Sequence, residues 1–301
     1  MYNLHIWNSG IRLATEICNA QLLGGEIASR VMTFTPGPIQ LGRAFTADPG
    51  TAGATTLLLQ LALPLLLFSS SVPTKEPTTL TLRGGTHATH APQADYTQQV
   101  LMPFLQKHIG LRSTFEVYKR GYYPKGGGEL RIVVPSRRDP LPAFNVLERG
   151  EVRRIGGRAY VAGVLPVVVA NKMAVAARET LFAGAGAAPI PAVSDDDGIA
   201  QHNVDFQRVA FDPARTSIEI DVVQEAPHNA HGTGSGIVLW AETDQGCILG
   251  ASAIGSKKHD AKKVGKEAAE ELLRALRTGG CVDEHLQVWR FSAIVIFSLM
   301  V

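Results

Sequence analysis

Three glycine clusters interrupt an otherwise ordinary sequence: Arg83-Gly84-Gly85-Thr86, Lys125-Gly126-Gly127-Gly128-Glu129 and Gly232-Thr233-Gly234-Ser235-Gly236. Glycine has no Cβ, so backbone N–H groups at such places can come close to a phosphate. None of the three has the spacing of a P-loop or a dinucleotide fingerprint, so neither of those nucleotide folds is signalled. Tight turns between strands account for the third cluster. The second is flanked by Lys119-Arg120-Gly121-Tyr122-Tyr123-Pro124-Lys125, which sets cations and aromatic faces beside the turn. Lys119, Arg120 and Lys125 are therefore candidate contacts to an RNA end, with a plain structural hairpin as the competing reading.

Other chemistry-bearing residues are sparser. His87 and His90 stand three apart, but no carboxylate or further ligand has the spacing a metal site needs, and the metal reading is set aside. Asp195-Asp196-Asp197 lacks the ligand pattern of a calcium loop and reads as a solvated acidic loop. Gln60 is a lone amide in the apolar run Leu57 to Phe68. It is either satisfied by nearby backbone or turned toward a ligand, because a buried amide needs partners. The three cysteines, Cys18, Cys247 and Cys281, are far apart and form no C-x-x-C. A disulfide framework, a disulfide-linked partner and a zinc site are not expected, and a reducing compartment fits.

These residues need elements to hold them. With 45% hydrophobic and 19% charged residues the chain can build a real core. A net charge of +2 argues against bulk coating of nucleic acid but leaves room for a local basic groove. The run Leu57 to Phe68 is too short to span a bilayer, contains Gln60 and Pro64, and predicts a helix buried on most sides within Thr51 to Phe68; no membrane partner is expected. Periodicity predicts further helices over Ile11–Ala20, Tyr96–His108, Val167–Phe182 and Lys262–Arg277. Asp95 is positioned to cap the second of these, and Pro103 to bend it or delay its start. In the last, Glu270 and Arg274 are ordered for an i, i+4 pair. Strands are predicted at 31–35, 79–83, 114–119, 129–134, 217–223, 236–242 and 247–253, with Arg153 to Val164 at the edge of a strand pair. Residues 183–236 are the least regular stretch and read largely as a surface insertion.

Taken in order, "LRGGTHATHAPQADYTQQVLMPFL", "KRGYYPKGGGELRI", "GRAYVAGVLP", "GCILGASAIG", "KVGKEAAEELL" and "RTGGCVDEHLQ" resemble the eukaryotic RNA 3′-terminal phosphate cyclase family over residues 10 to 287. The resemblance implies an α/β (α+β) fold of repeated units, each a four-stranded sheet with two helices, plus a smaller inserted α/β domain. It divides the chain into a main-domain part at 1–160, an inserted domain at 161–279 carrying an extra loop at 184–230, and a remnant of the main domain at 280–301. It also implies a reaction. ATP adenylates a histidine and pyrophosphate leaves with the help of a divalent ion, Mg or Mn. AMP then passes to an RNA 3′-phosphate, and the neighbouring 2′-OH attacks to give the 2′,3′-cyclic phosphate. By motif match, Gln60, Pro92 and His285 fall where the family contacts the adenylate; relatives commonly carry tyrosine at the position of His285. The partner is RNA with a 3′-phosphate end, and the compartment expected is the nucleus, with the cytoplasm also open.

Two departures shape the expectation. The family's opening glycine-rich acidic segment and arginine-rich stretch do not precede Ile11, and Val288-Trp289 stands where an Asp-Gln pair is expected. No histidine follows His285, so no catalytic nucleophile of the family type is assigned. The expectation is a chain truncated at both ends with an unrelated tail, inactive as it stands, as a translated intron would produce. Its alternative is a non-catalytic cyclase-like factor in ribosomal RNA maturation, whose kind also lacks that histidine. An enolpyruvyl transferase shares the fold, but its substrate motifs are not visible.

Overall fold

A computed structural model describes residues 2–26, 29–137, 139–186, 209–256 and 260–288. Asp195 to Asp197, residues 187–208 of the expected extra loop and the tail from Trp289 onward lie outside the described residues. The chain opens with α1 (Tyr2–Ile17), a short hairpin of β1 (Gln21–Leu23) and β2 (Thr33–Thr35), β3 (Ala44–Ala47), α2 (Thr55–Leu67) and β4 (Thr78–Gly84). A composite helix follows: α3 (Ala94–Tyr96), a π turn over Thr97–Leu101, and α4 (Met102–Ile109). Then come β5 (Thr114–Gly121), β6 (Gly128–Val134), β7 (Val152–Ala162), α5 (Val167–Gly184), β8 (Ser217–Gln224), β9 (Ala230–His231), β10 (Gly234–Thr243), β11 (Ile248–Ile254) and α6 (Ala261–Arg277).

The architecture is mixed α/β, as the sequence implies, built on two principal sheets. The first has the order β3-β4-β6-β5-β9, the second β11-β10-β7-β8. In the first sheet Leu80, Leu82, Leu130 and Ile132 point to one face and pack on α1 and α2 through Leu13, Ile17, Leu58, Leu59 and Leu63. The other face carries the alternate residues Thr81, Arg83, Glu129 and Arg131. This is the in–out alternation of a half-buried sheet.

The second sheet is covered on both faces. Along β10, Ile237, Leu239 and Ala241 pack against α5 and α6, while Val238 and Trp240 pack against Tyr96, Val100, Leu101, Phe104 and Leu286. Burial on both sides explains why β10 reads as an unbroken apolar run. The composite helix thus reaches from its place beside the first sheet onto the second.

Several expectations need correction. α1 begins nine residues before Ile11. β7 is no edge: it sits between β10 and β8, pairing antiparallel with one and parallel with the other. Asp95 does not cap a helix. The N-cap of α3 is Gln93 without a side-chain cap bond, and the Asp95 carboxylate is spent elsewhere. Helical turns begin at Ala94, ahead of Pro103, and the α-helical ladder resumes at Met102. The π turn ahead of it, closed by Met102 N–H to the Thr97 carbonyl, takes up the irregularity, and Pro103 sits in the first turn of α4, where a missing N–H costs little. Glu270 pairs at i, i+4 with Lys266 (3.6 Å), not with Arg274.

The contact between α5 and α6 depends on one missing side chain. A Cβ at Gly265 would run into the backbone carbonyl of Met173. Gly265→Ala should therefore destabilise the fold by about 1–3 kcal/mol, as overpacking does, even though alanine favours a helix by about 1 kcal/mol over glycine. Urea unfolding checks this; an unchanged or raised stability would show that the two helices can separate freely.

Candidate nucleotide and RNA site

A dense network of hydrogen bonds and ion pairs lies between the two sheets. Arg120, near the end of β5, grips the Asp95 carboxylate with both terminal nitrogens (Nη1–Oδ2 2.7 Å, Nη2–Oδ1 2.8 Å) and places Nε 2.7 Å from Oε1 of Glu225. Arg158, on β7, reaches the same two carboxylates, at 2.6 Å from Glu225 and 3.4 Å from Asp95. His87 Nε2 lies 2.9 Å from Asp95 Oδ2, and its Nδ1 lies 2.7 Å from the Thr86 hydroxyl. A carboxylate only accepts, so Nε2 carries the proton, and Nδ1 accepts from Thr86 Oγ1. The Thr86 oxygen in turn accepts the Gly121 N–H at 3.0 Å.

Two guanidiniums thus face two carboxylates, and burial is tolerable because the charges are matched and hydrogen-bonded. Burial alone would raise the Asp95 carboxyl, but the His87 hydrogen bond and the Arg120 and Arg158 charges hold it well below the usual carboxylate range. Burial pushes His87 down, against the pull of Asp95, and keeps the ring neutral near pH 7. Tyr160 closes the cluster by donating to Gln93 Oε1 at 2.8 Å.

The three glycine clusters converge beside this network. Thr86 N–H donates to the Gly121 carbonyl (3.0 Å), and Tyr122 N–H donates to the His231 carbonyl (3.3 Å). Gly127, at φ +69°, lies where a Cβ would come within 2.6 Å of the His231 ring, and a Cβ on Gly234 would strike the Tyr122 ring. The glycines serve close approach of chain to chain. The N–H groups of Gly85, Gly121 and Gly126 are all bonded inside the protein, to Gly53 O, Thr86 Oγ1 and Tyr122 O. They are not available to cradle a phosphate.

A β-bulge decides which cations face outward. In the pairing of β5 with β6, Glu116 lies opposite Arg131, Val117 opposite Leu130, and Lys119 opposite Glu129. Tyr118 is the extra residue. The insertion inverts the alternation, so Lys119 joins the solvent face and Arg120 turns inward to Asp95. Arg120, expected at the RNA end, is thus buried and doubly paired. Lys119 and Lys125 line an open cleft of about 490 Å³ with Asp48, Arg83, Tyr118 and Glu129. Arg83 pairs with Glu129 at 2.9 Å, whereas neither lysine has a carboxylate within 4 Å among the described residues.

Pro92 and His285, far apart in sequence, each meet a neighbour in or beside the 92–96 segment, and Gln60 lies one turn beyond the residue that bonds Pro92. The Pro92 carbonyl accepts from Thr56 Oγ1 at 2.7 Å, one helical turn before Gln60 on α2. Pro64, inside α2, has no N–H, so the Gln60 carbonyl lacks its usual helical donor. Gln60 itself is half-buried. Four residues beyond Pro92, the Tyr96 ring meets the His285 ring edge-on, with centroids 5.1 Å apart. The Tyr96 hydroxyl donates to Asp283 Oδ1 (2.7 Å), which also accepts the Leu286 N–H, and Asp283 Oδ2 accepts the Gly250 N–H (2.7 Å). Asp283 thereby fixes the His285 segment to both the composite helix and β11.

Sequence reasoning missed Asp95, Arg158, Glu225 and Tyr160 as one site. Arg158 and Glu225 lie 67 residues apart, and no local pattern links them. The one available signal was a polar Asp95 within an apolar helical face.

Asp95→Ala would leave two buried guanidiniums with one carboxylate. It should cost about 3–5 kcal/mol in urea unfolding, against little for an exposed acid; a loss below 1 kcal/mol would mean that water enters the cluster. Glu271, on α6 near Asp283, supplies a pH test. Burial, with Glu284 and Asp283 nearby, raises it to about 7 despite the Ser252 N–H and Arg274. A carboxyl raised in the folded state binds its proton more tightly there, so its contribution is full below about pH 4.5 and is lost as pH rises through about 7. Glu271→Gln should gain stability relative to the parent between pH 5 and 8, by roughly 3 kcal/mol. A stability difference that does not change with pH would refute the shift.

Comparison with known proteins agrees with the motifs. The RNA 3′-terminal phosphate cyclase family matches residues 5–298. The RNA 3′-terminal phosphate cyclase of Methanopyrus kandleri is 36% identical over 288 residues, 94% of this chain and 71% of that protein. That of Pyrococcus furiosus is 34% identical over 284 residues (93% and 70%), and that of Drosophila melanogaster 32% over 282 (92% and 67%). With a match that runs through the glycine clusters, the buried charge network and the segment of His285, the chain belongs to the RNA 3′-terminal phosphate cyclase family.

Proposed function

We propose that this chain takes part in the ATP-dependent conversion of RNA 3′-phosphate ends to 2′,3′-cyclic phosphates, with the adenine nucleotide near Gln60, Pro92 and His285 and the RNA along the cleft of Lys119 and Lys125. What supports the nucleotide side is the Thr56–Pro92 bond, one helical turn from Gln60, together with the Tyr96–His285 ring contact. On the RNA side it is the presence of two lysines without carboxylate partners beside that junction. Arg120 acts from within, holding Asp95 and so the segment that carries Pro92 and Tyr96.

Activation by adenylate transfer gives the 3′-phosphate a leaving group, and the vicinal 2′-OH then closes the ring with release of AMP. Among the described residues no group of three or more His, Cys, Asp or Glu side chains converges on a metal position. A Mg²⁺ or Mn²⁺ ion would accordingly be held mainly by the ATP phosphates and water, as Mg²⁺ usually is. The same reading sets the reaction in nuclear RNA processing.

ATP titration of residues 1–301 tests the nucleotide side. Gln60→Ala should weaken ATP binding several-fold, since a net hydrogen bond contributes about 0.5–1.5 kcal/mol; unchanged affinity would make Gln60 a purely structural residue. Incubation with labelled ATP and a divalent ion should leave no AMP on the denatured chain, because no histidine follows His285. A surviving AMP band would point to His285 or another internal nucleophile. In a version restored with the family's distal histidine, RNA binding without any cyclised product would favour the second reading, a cyclase-like factor that binds RNA in ribosomal RNA maturation.

A further inference from the structure

The cleft holds one feature that end chemistry alone does not require. Tyr118 is the residue the bulge expels from the β5–β6 ladder, and it is 49% exposed although aromatic. Its hydroxyl accepts from Arg131 Nη1 at 3.3 Å, which holds the ring against the outer face of the first sheet. The ring lines the same cleft as Lys119 and Lys125. Glu129, the one acid directly opposite Lys119, is already taken by Arg83. An exposed flat ring beside two unpaired ammonium groups matches the chemistry of an unpaired nucleotide, whose base stacks and whose phosphate takes the charge.

We propose that Tyr118 is a stacking platform for a base of single-stranded RNA lying in this cleft. It makes the cleft selective for unpaired over duplex RNA and tolerant of base identity. The proposal rests on the RNA side of the function above and extends it to a residue and a specificity. A duplex cannot offer the face of an internal base, so it gains the lysine contacts but not the ring. Every base has such a face, so sequence preference should be weak. The bulge matters because it leaves Tyr118 on the solvent side and brings Lys119 there too. A regular ladder would place only one of two successive residues on that side.

The test measures affinity by fluorescence anisotropy for a short single-stranded RNA and a blunt duplex, each with and without a 3′-phosphate, at several salt concentrations. Tyr118→Ala should bind the single strand about 5- to 150-fold more weakly, with the salt slope unchanged and duplex affinity unaltered. Tyr118→Phe and Tyr118→Trp should bind within about twofold of the parent or tighter, because they keep the π face. Lys125→Ala should instead lower the slope of log affinity against log salt by about 0.7. Tyr118→Ala that binds as the parent does, at an unchanged melting temperature, overturns the proposal. So does equal weakening on duplex RNA, and so does a loss with Tyr118→Trp as large as with alanine. A Tyr118-dependent affinity indifferent to the 3′-phosphate supports the platform while counting against the end-processing reading. A strong 3′-phosphate preference that ignores Tyr118 does the reverse.

Discussion

The charge on Asp95 is the constraint around which the rest of the junction is arranged. It is almost fully buried, and an unpaired carboxylate there would cost several kcal/mol. Its partners come from different elements: His87 from the segment after β4, Arg120 from β5 and Arg158 from β7. Each can reach it only when the first sheet, the composite helix and the second sheet hold fixed relative positions. Glu225, after β8, completes the balance by accepting from both arginines. Apolar packing between these units tolerates small slips, whereas a bidentate guanidinium–carboxylate pair does not. The cluster therefore fixes geometry more than it adds net stability, and what it fixes is the segment from Pro92 to Tyr96.

The same constraint explains the bulge at Tyr118. A regular β5 would carry Lys119 inward with Phe115 and Val117, and Arg120 outward. A lysine pointing inward there has no bidentate fork with which to satisfy both Asp95 and Glu225. One extra residue corrects the parity, sending arginine in and lysine out. The outward placement of Lys119 is thus the counterpart of the inward placement of Arg120.

Much of the fold was legible because it rests on local patterns. α2, α5 and α6, the β5–β6 hairpin and the strands β8, β10 and β11 were readable from periodicity and glycine punctuation. The failures share a cause. Asp95 looked like a cap because caps are the commonest use of an aspartate beside a helix start, while its real partners lie 25, 63 and 8 residues away. β7 looked like an edge because its parallel neighbour β8 arrives more than fifty residues later. Lys119 and Arg120 looked alike because a bulge cannot be read from five residues. Gln60, Pro92 and His285 became candidates through the family resemblance, since nothing in their spacing foretells the Thr56–Pro92 bond or the Tyr96–His285 ring contact.

The glycines serve close approach of chain to chain at several points. The N–H groups of Gly85, Gly121 and Gly126 are already used by neighbouring chain. Gly84, at φ +139°, has the Gly53 carbonyl where a Cβ would sit, and Gly121 has backbone from three directions. Removing side chains there lets three segments cross at backbone distance, and that crossing draws Lys119 and Lys125 to one cleft. In the proposed RNA site, recognition of an anion falls chiefly to the flexible ammonium groups of Lys119 and Lys125. Ammonium contacts are screened by salt and are indifferent to sequence, whereas a nest of N–H groups would be shape-selective for one phosphate. For RNA ends of differing sequence, a cleft built of long cations over a glycine-packed crossing is the more permissive arrangement.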